Sequence, residues 1–240
     1  MSVKDKFDYG SIDAGYYDRV FHKKQGPQSK WHHVKFRFLK EKMGDYNDHL
    51  DVGCGPGTFV GLLDSGKKSV GVDIAQEQII YAREHYETPL HTFVHIQAGQ
   101  PFPFADHSFD LVTMVELIEH LPYEDTLTLL TEVKRVLKPG GRVLITTPNY
   151  ASFWPILEFF VNKFSELSYQ DQHITFYKKP ILRNLLKDSG FQNEHVQSFQ
   201  FLSAFAAFIH WNFSDFVYDL EKPFIASWFG SLLFGEAKKS

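Results

Sequence analysis

Apolar and polar residues are patterned so that strands and helices should alternate along the first 150 residues. Short apolar runs predict buried strands, and apolar residues recurring every three or four positions predict helices packed on them. The predicted strands are 49–52, 69–73, 93–97, 109–115 and 142–147, and the helices between them are 58–65, 76–86 and 124–137. This alternation is typical of a mostly parallel sheet covered by helices.

The two ends of the chain are patterned differently. Residues 1–29 are polar and turn-rich and predict an irregular arm, followed by a helix over 30–43 that Gly44 ends. After residue 150 we expect helices at 153–164 and 178–188, a strand at 194–201, an aromatic helical stretch at 202–220 and a strand at 231–237.

Composition narrows the class of protein. The 240 residues are 43% hydrophobic and 22% charged, which is ordinary for a soluble globular protein. The net charge of −4 disfavours a nucleic-acid partner. A single cysteine, a start without an apolar leader and the absence of any apolar run near ~20 residues favour a cytoplasmic protein without a transmembrane segment.

A glycine-rich turn between the first predicted strand and helix indicates a nucleotide site. Gly53, Gly55 and Gly57 let the backbone approach a ligand, and Asp73 ends the next strand, where a carboxylate can accept ribose hydroxyls. A dinucleotide turn would carry its third glycine one residue later. Asp51 would repel a pyrophosphate but attract an amino group and a sulfonium, which favours S-adenosylmethionine over NAD. A purely structural turn, and Asp73 as a helix cap, are the alternatives.

Four segments then carry a family resemblance. Residues 49–59, 70–75, 103–112 and 137–142 resemble, in order, the motifs of class I S-adenosylmethionine-dependent methyltransferases. The resemblance implies an α/β, Rossmann-like, seven-stranded and mostly parallel sheet, with helices on both faces, an antiparallel last hairpin and an aromatic-rich helical lid. It also implies one domain over residues 1–240, divided into an arm and helix (1–44), a cofactor-binding core (45–150), and sheet completion with a substrate lid (151–240).

The same resemblance assigns the cofactor site. It implies that S-adenosylmethionine is held by Asp51, Gly53, Cys54, Gly55, Gly57, Asp73, Ile74, Gly99, Gln100 and Glu116. The family often has an acid before the adenine loop, whereas this chain has Ala98 there. Adenine would then depend on backbone groups and Gln100.

Acidic and imidazole side chains follow the fourth strand. Glu116, Glu119 and His120 come where open α/β sheets place their reactive crevice, and they would suit Mg²⁺ or Mn²⁺. With His173 they are similar to the metal sites of small-RNA 3′-terminal and ubiquinone-pathway O-methyltransferases. That similarity implies Glu116, Glu119, His120 and His173 as metal ligands, and Glu119 and His120 as catalytic residues. In the alternative, Glu119 and His120 line the pocket of a metal-free enzyme.

Aromatic residues make up 16% of the chain and crowd its second half. They predict a buried lid, a pocket for a lipophilic substrate, or a peripheral membrane contact, and the scarcity of basic residues there disfavours an anionic membrane. Residues 31–33 are expected to help close the pocket.

The sequence therefore predicts methyl transfer to an oxygen of a small-molecule, sugar or lipid-precursor acceptor. A metal-free N- or C-methyltransferase and a non-catalytic S-adenosylmethionine-binding regulatory protein are the alternatives. The acceptor and the oligomeric state are left open by the sequence.

Overall fold

Seven strands form one sheet in the order β3-β2-β1-β4-β5-β7-β6 in the computed structural model, which describes residues 13–64, 66–155, 173–222 and 229–240. The strands are β1 Asp48–Val52, β2 Lys68–Asp73, β3 His91–His95, β4 Phe109–Val115, β5 Leu137–Pro148, β6 Gln192–Phe199 and β7 Leu232–Lys238. β1 to β5 pair in parallel, whereas β7 runs antiparallel to both β5 and β6. The predicted sheet and its antiparallel last hairpin are confirmed.

Helices lie against both faces of the sheet. The described helices are α1 Tyr16–His22, α2 Gly26–Met43, α3 Thr58–Gly61, α4 Gln76–Tyr86, α5 Tyr123–Val136, α6 Lys179–Asp188, α7 Ser203–Ala206 and α8 Trp211–Glu221. None of these helices combines the length and apolar composition that crossing a bilayer would require.

Two apolar cores follow from the alternation of side chains along the strands. In β5, Val143 and Ile145 point to one face and pack with α5 and α6. Leu144, between them, points to the other face and packs with α2 and Tyr218 of α8. The sheet is therefore buried on both sides, as a parallel sheet requires.

The N-terminal arm is more regular than predicted. α1 and the first turn of α2 fall within the range expected to be irregular, and residues 1–12 lie outside the described part. Asp18 of α1 is buried, and its carboxylate accepts hydrogen bonds from Thr58 Oγ1 (2.7 Å), Tyr81 OH (3.0 Å) and Tyr86 OH. These long-range bonds stabilise a helix that the local sequence does not predict.

Other bounds differ where local features intervene. α3 ends at Gly61, short of the predicted residue 65, and glycine is an unfavourable residue for continuing a helix. β3 lies two residues before the predicted 93–97. β5 begins at Leu137 and passes through the Pro-Gly-Gly turn as an irregularity in its pairing with β4.

The aromatic stretch 202–220 forms two helices instead of one. The imidazole of His210 accepts from the backbone N–H of Asn212 (3.2 Å) and so caps the start of α8. Most of the predicted helix 153–164 lies outside the described residues.

Candidate functional site

A cavity of about 1430 Å³ opens at the carboxyl ends of β1, β2 and β4. The sheet order reverses between β1 and β4, and crevices of this kind are where open α/β sheets bind ligands. Of the predicted cofactor, catalytic and metal residues, all except Gly57 line this cavity. The structure thus brings together residues that the sequence spreads from position 51 to position 173.

The glycine turn needs its glycines for different reasons. Gly53, Gly55 and Gly57 all have positive φ angles, of 75°, 51° and 79°. A Cβ on Gly55 would meet no atom within 4 Å, because this residue faces the open cavity. A Cβ on Gly57 would lie 2.7 Å from the Cβ of Ala82, so Gly57 allows the turn to pack against α4. Gly57 is therefore a packing position.

Asp73 holds the glycine turn in place. One carboxylate oxygen accepts from the N–H of Gly55 and the other from the N–H of Ala75, both at 2.8 Å. The N-cap residue of α4 is Ala75, so Asp73 bonds the glycine turn on one side and the N–H at the start of α4 on the other. Burial raises the pKa of Asp73, while these backbone donors oppose the shift.

Asp51 ends a buried chain of polar groups beneath the turn. Thr113 Oγ1 donates its proton to Asp51 (2.5 Å) and lies 2.8 Å from His49 Nε2, and His49 Nδ1 lies 3.2 Å from Ser69 Oγ. A hydroxyl has one proton, so Nε2 of His49 must donate to Thr113 and Nδ1 must accept from Ser69. Burial lowers the pKa of His49 to about 3, which keeps the imidazole neutral.

The carboxyl group of Asp51 is tuned by the same surroundings. Burial raises its pKa to about 7, the Thr113 hydrogen bond opposes that shift, and the nearby negative charge of Asp73 adds to it. A positive ligand group beside Asp51 would favour the ionised form.

Glu116 is ion-paired with a residue of α2 that the sequence did not associate with the site. Its carboxylate accepts from Lys35 Nζ and from Trp31 Nε1 (3.3 Å), both on α2. Burial opposes ionisation of Glu116, but the charge of Lys35 and the hydrogen bonds from Lys35 and Trp31 outweigh it and lower its pKa. Glu116 also has a positive φ of 52°, and its N–H donates to the carbonyl of Thr146 (2.9 Å).

Three of the four predicted metal ligands form a cluster. Ligand atoms of Glu119, His120 and His173 lie within 4.8 Å of one another. Glu116, the fourth, lies outside this cluster and in the ion pair with Lys35. Burial of Glu119 raises its pKa to about 7, while His173 and a hydrogen bond from Thr147 Oγ1 (2.9 Å) oppose the shift.

Backbone bonds bring His173 to this cluster. The carbonyl of Glu119 accepts from the N–H groups of Ile174 (2.8 Å) and Thr175 (3.1 Å). Tyr150 OH lies 2.6 Å from His173 Nδ1, and the rings of His120 and His173 are 5.1 Å apart. The loop that carries His173 is thus fixed directly on the 3₁₀ turn that carries Glu119 and His120.

The other predicted cofactor residues lie around the same cavity. Cys54 is buried, and burial raises the pKa of its thiol well above the usual range. Ile74 is exposed at the cavity edge. Gly99, with φ of 73°, and Gln100 also line the cavity.

An aromatic wall completes the cavity. The rings of Trp31 and Trp154 have centroids 5.1 Å apart, and Trp154 lies beside His173. Phe205 and Phe208 line the side toward α7. His32 joins Trp31 in the cavity as expected, whereas His33 stacks on Phe21 (3.9 Å) away from it.

Two important contacts were missed at the sequence level. Lys35 falls on the apolar face of α2, between Val34 and Phe38. A lysine on a buried helical face needs an acidic partner, and this could have indicated the ion pair from the sequence. Nothing in the sequence around Thr113 indicated its role, because its partners Asp51 and His49 belong to β1.

Several of the proteins to which this chain is similar are named as methyltransferases. Residues 50–145 match the family model described as a methyltransferase domain. The chain carries a class I methyltransferase domain. A probable S-adenosylmethionine-dependent methyltransferase of Mycolicibacterium smegmatis is 30% identical over 166 residues, which are 68% of this chain and 58% of the relative.

Two further similarities are weaker, one because it covers less of the chain and the other because the sequence identity is low. A ubiquinone biosynthesis O-methyltransferase of Pseudoalteromonas translucida is 32% identical over 48% of this chain and 50% of its own length. This chain therefore spans between half and three fifths of these two relatives. The crystal structure of a possible histamine N-methyltransferase of Thermotoga maritima has a TM-score of 0.66 at 20% identity, covering 93% of this chain and 94% of that one. This last similarity shows the fold alone.

Proposed function

We propose that this chain transfers the methyl group of S-adenosylmethionine to an oxygen of a small-molecule acceptor. The observation that carries the proposal is that the Glu119, His120 and His173 cluster shares one cavity with the glycine turn and Asp73. A methyl donor bound at the turn would thus have acid–base groups beside it. The relative named for ubiquinone O-methylation supports the choice of oxygen.

We assign the ribose and the amino acid part of S-adenosylmethionine to charged groups of the cavity, and the adenine to uncharged ones. Asp73 would accept the ribose hydroxyls, and Asp51 would attract the amino group. Lys35 and Glu116 supply one cationic and one anionic group on the α2 side, so a ligand that carries both an amino group and a carboxylate suits them. Backbone groups and Gln100 would contact the adenine, as the sequence predicts, and Gly99, Cys54 and Ile74 would line the rest of the cofactor site.

The acceptor proposal rests on Glu119 and His120. In the reaction, the acceptor hydroxyl gives its proton to Glu119 or to an imidazole. An oxygen lone pair forms the new O–CH₃ bond, and the S–CH₃ bond breaks with its electron pair returning to sulfur. A carboxylate whose pKa is raised to about 7 is a suitable base near neutral pH.

A divalent cation fits the same three residues. Glu119 is buried and its pKa is raised, so its negative charge is not fully compensated by the residues around it, and a cation would compensate it. One carboxylate and two imidazoles favour Mn²⁺ over Mg²⁺, because Mg²⁺ prefers oxygen ligands. When bound, such an ion would lower the pKa of an acceptor hydroxyl.

The wall of the cavity favours a flat, lipophilic acceptor. Trp31, Trp154 and Phe205 provide aromatic surface in the cavity, and Trp154 lies beside His173. An aromatic diol such as catechol therefore combines the two features that the site would recognise, a ring and adjacent oxygens.

Two measurements test these proposals separately. Thermal shift with S-adenosylmethionine and S-adenosylhomocysteine tests the cofactor site, and stabilisation by neither would contradict it. Methylation of catechol with Mn²⁺ tests the chemistry, comparing Glu119→Gln with the exposed control Glu124→Gln. We expect the first substitution to abolish turnover and the second to leave it unchanged. Turnover that persists in EDTA would remove the metal and leave Glu119 as a base.

A further inference from the structure

Helix α8 is turned with its polar residues inward. Ser214, Tyr218 and Glu221 are buried, whereas Phe213, Phe216 and Leu220 are 42%, 62% and 63% exposed. A surface helix of a globular protein ordinarily has the opposite arrangement, with its apolar side toward the core.

Buried hydrogen bonds hold α8 in this orientation. The carboxylate of Glu221 accepts from the N–H of Phe201 (2.9 Å), the N–H of Leu202 (2.7 Å) and Ser203 Oγ (2.6 Å). Ser214 Oγ donates to the carbonyl of Ser203 (2.5 Å). Rotating the helix to bury its phenylalanines would leave these groups without partners, which costs more than each hydrogen bond contributes.

The exposed apolar surface continues into the turn before α8. Phe208 and Ile209 are 76% and 78% exposed, the two largest exposed fractions among the large hydrophobic residues of the described part. We call the surface formed by Phe208, Ile209, Phe213, Phe216 and Leu220 the α8 face. Phe208 and its neighbour Phe205 also line the cavity, so the α8 face borders the cavity opening.

Two acidic side chains beside the α8 face are paired with bases of the described part of the chain. Asp215 pairs with Lys30 Nζ at 2.7 Å, and Asp219 pairs with Arg37 at 2.8 Å. Both bases belong to α2, which packs against α8. Among the described residues, the face therefore offers apolar area without a net charge that would select an anionic or a cationic partner.

We propose that the α8 face docks on the surface of a zwitterionic lipid bilayer. Apolar helical faces lie in the interface of a bilayer with their side chains at the boundary of headgroups and acyl chains. A bilayer can cover the α8 face while leaving the adjoining cavity open to lipophilic molecules from the membrane. A second protein seated on Phe208 would instead cover that opening. The docking does not depend on the proposed methyl transfer.

Vesicle flotation tests the docking directly. The full chain is mixed with vesicles of phosphatidylcholine alone, or of phosphatidylcholine with phosphatidylglycerol, and the floated fraction is measured. We expect the protein to float with both. Phe213→Ser with Phe216→Ser should lower its partition coefficient by about tenfold or more, because two apolar side chains no longer reach the lipid.

A matched control removes equal numbers of exposed apolar side chains elsewhere. Ile80→Ser with Leu90→Ser changes residues that are 40% and 38% exposed and do not line the cavity, and it should float like the wild type. Circular dichroism confirms that all variants are folded. Failure of the wild type to float, flotation only with phosphatidylglycerol, or equal loss in both double variants would overturn the proposal. A wild-type dimer that Phe213→Ser with Phe216→Ser converts to monomer would overturn it in favour of a second copy.

Discussion

Replacing Thr113 by valine should change how the binding of S-adenosylmethionine depends on pH. The substitution keeps the shape of a buried side chain but removes the hydroxyl that donates to Asp51. Because that hydrogen bond opposes the raised pKa of Asp51, its loss should raise the pKa further. Asp51 attracts the amino group of the cofactor only when it is ionised, so the variant should need a higher pH to bind well.

The size of the effect follows from the pKa of about 7. If the protonated form does not bind, the wild-type affinity should fall about eightfold between pH ~7.5 and pH ~6. A further rise of roughly one unit in Thr113→Val would weaken binding about threefold at pH ~7.5 and about ninefold at pH ~6. The valine also leaves the Nε2 proton of His49 without its acceptor, which should lower stability by about 1–3 kcal/mol.

Isothermal titration calorimetry across this pH range measures the dependence. Methylthioadenosine keeps the adenosine and lacks the amino and carboxylate groups, so it reports any contribution from Asp73 and should bind both proteins alike. Staying below pH ~7.5 keeps the cofactor's amino group, with a usual pKa of ~7.7–8.0, largely protonated. A pH profile that is the same for S-adenosylmethionine and methylthioadenosine, or the same in both proteins, would refute the reasoning.

Three further changes test other contacts. Gly57→Ala should lower the free energy of unfolding, measured in urea, by about 2–4 kcal/mol, because the new Cβ clashes with Ala82 and the backbone is left-handed. Gly55→Ala, which has only the left-handed backbone against it, should lower this free energy by about 1–2 kcal/mol. Equal losses would contradict the packing role of Gly57. Lys35→Met leaves the carboxylate of Glu116 without its cation and should raise its pKa. The wild-type pair stabilises the fold above the ordinary glutamate pKa, so the loss in thermal midpoint should be larger at pH 8 than at pH 4; a loss independent of pH would argue against the pair. Asp18→Asn should speed amide hydrogen exchange in α1 about tenfold, with α6 as the unaffected reference.

The sheet could be predicted because its signals are local and strong. The strand 109–115 and the helix 76–86 have the bounds that the sequence predicts, since both are regular apolar patterns ended by clear breaks. The glycine turn and Asp73 belong to one strand–helix–strand unit, so their proximity also follows from the sequence.

The rest of the site depends on contacts between distant segments. Lys35 meets Glu116 across 81 residues, and Thr113 meets Asp51 across 62. No periodicity along the chain encodes such pairs. The roles assigned to Glu119, His120, His173 and the cofactor residues stay predictions, although the structure gathers nearly all of them in one cavity.

The position of β7 has a consequence for the order in which the fold can assemble. β7 follows β6 in the chain but lies between β5 and β6, and its Lys238 is paired with Arg142. Until β7 is in place, β5 ends in an unpaired edge and β6 has no neighbour in the sheet. Contacts between segments that are far apart in the sequence form slowly during folding. Meanwhile, unpaired strand edges can pair with strands of other chains. Refolding should therefore be limited by insertion of β7, and aggregation should compete at that stage.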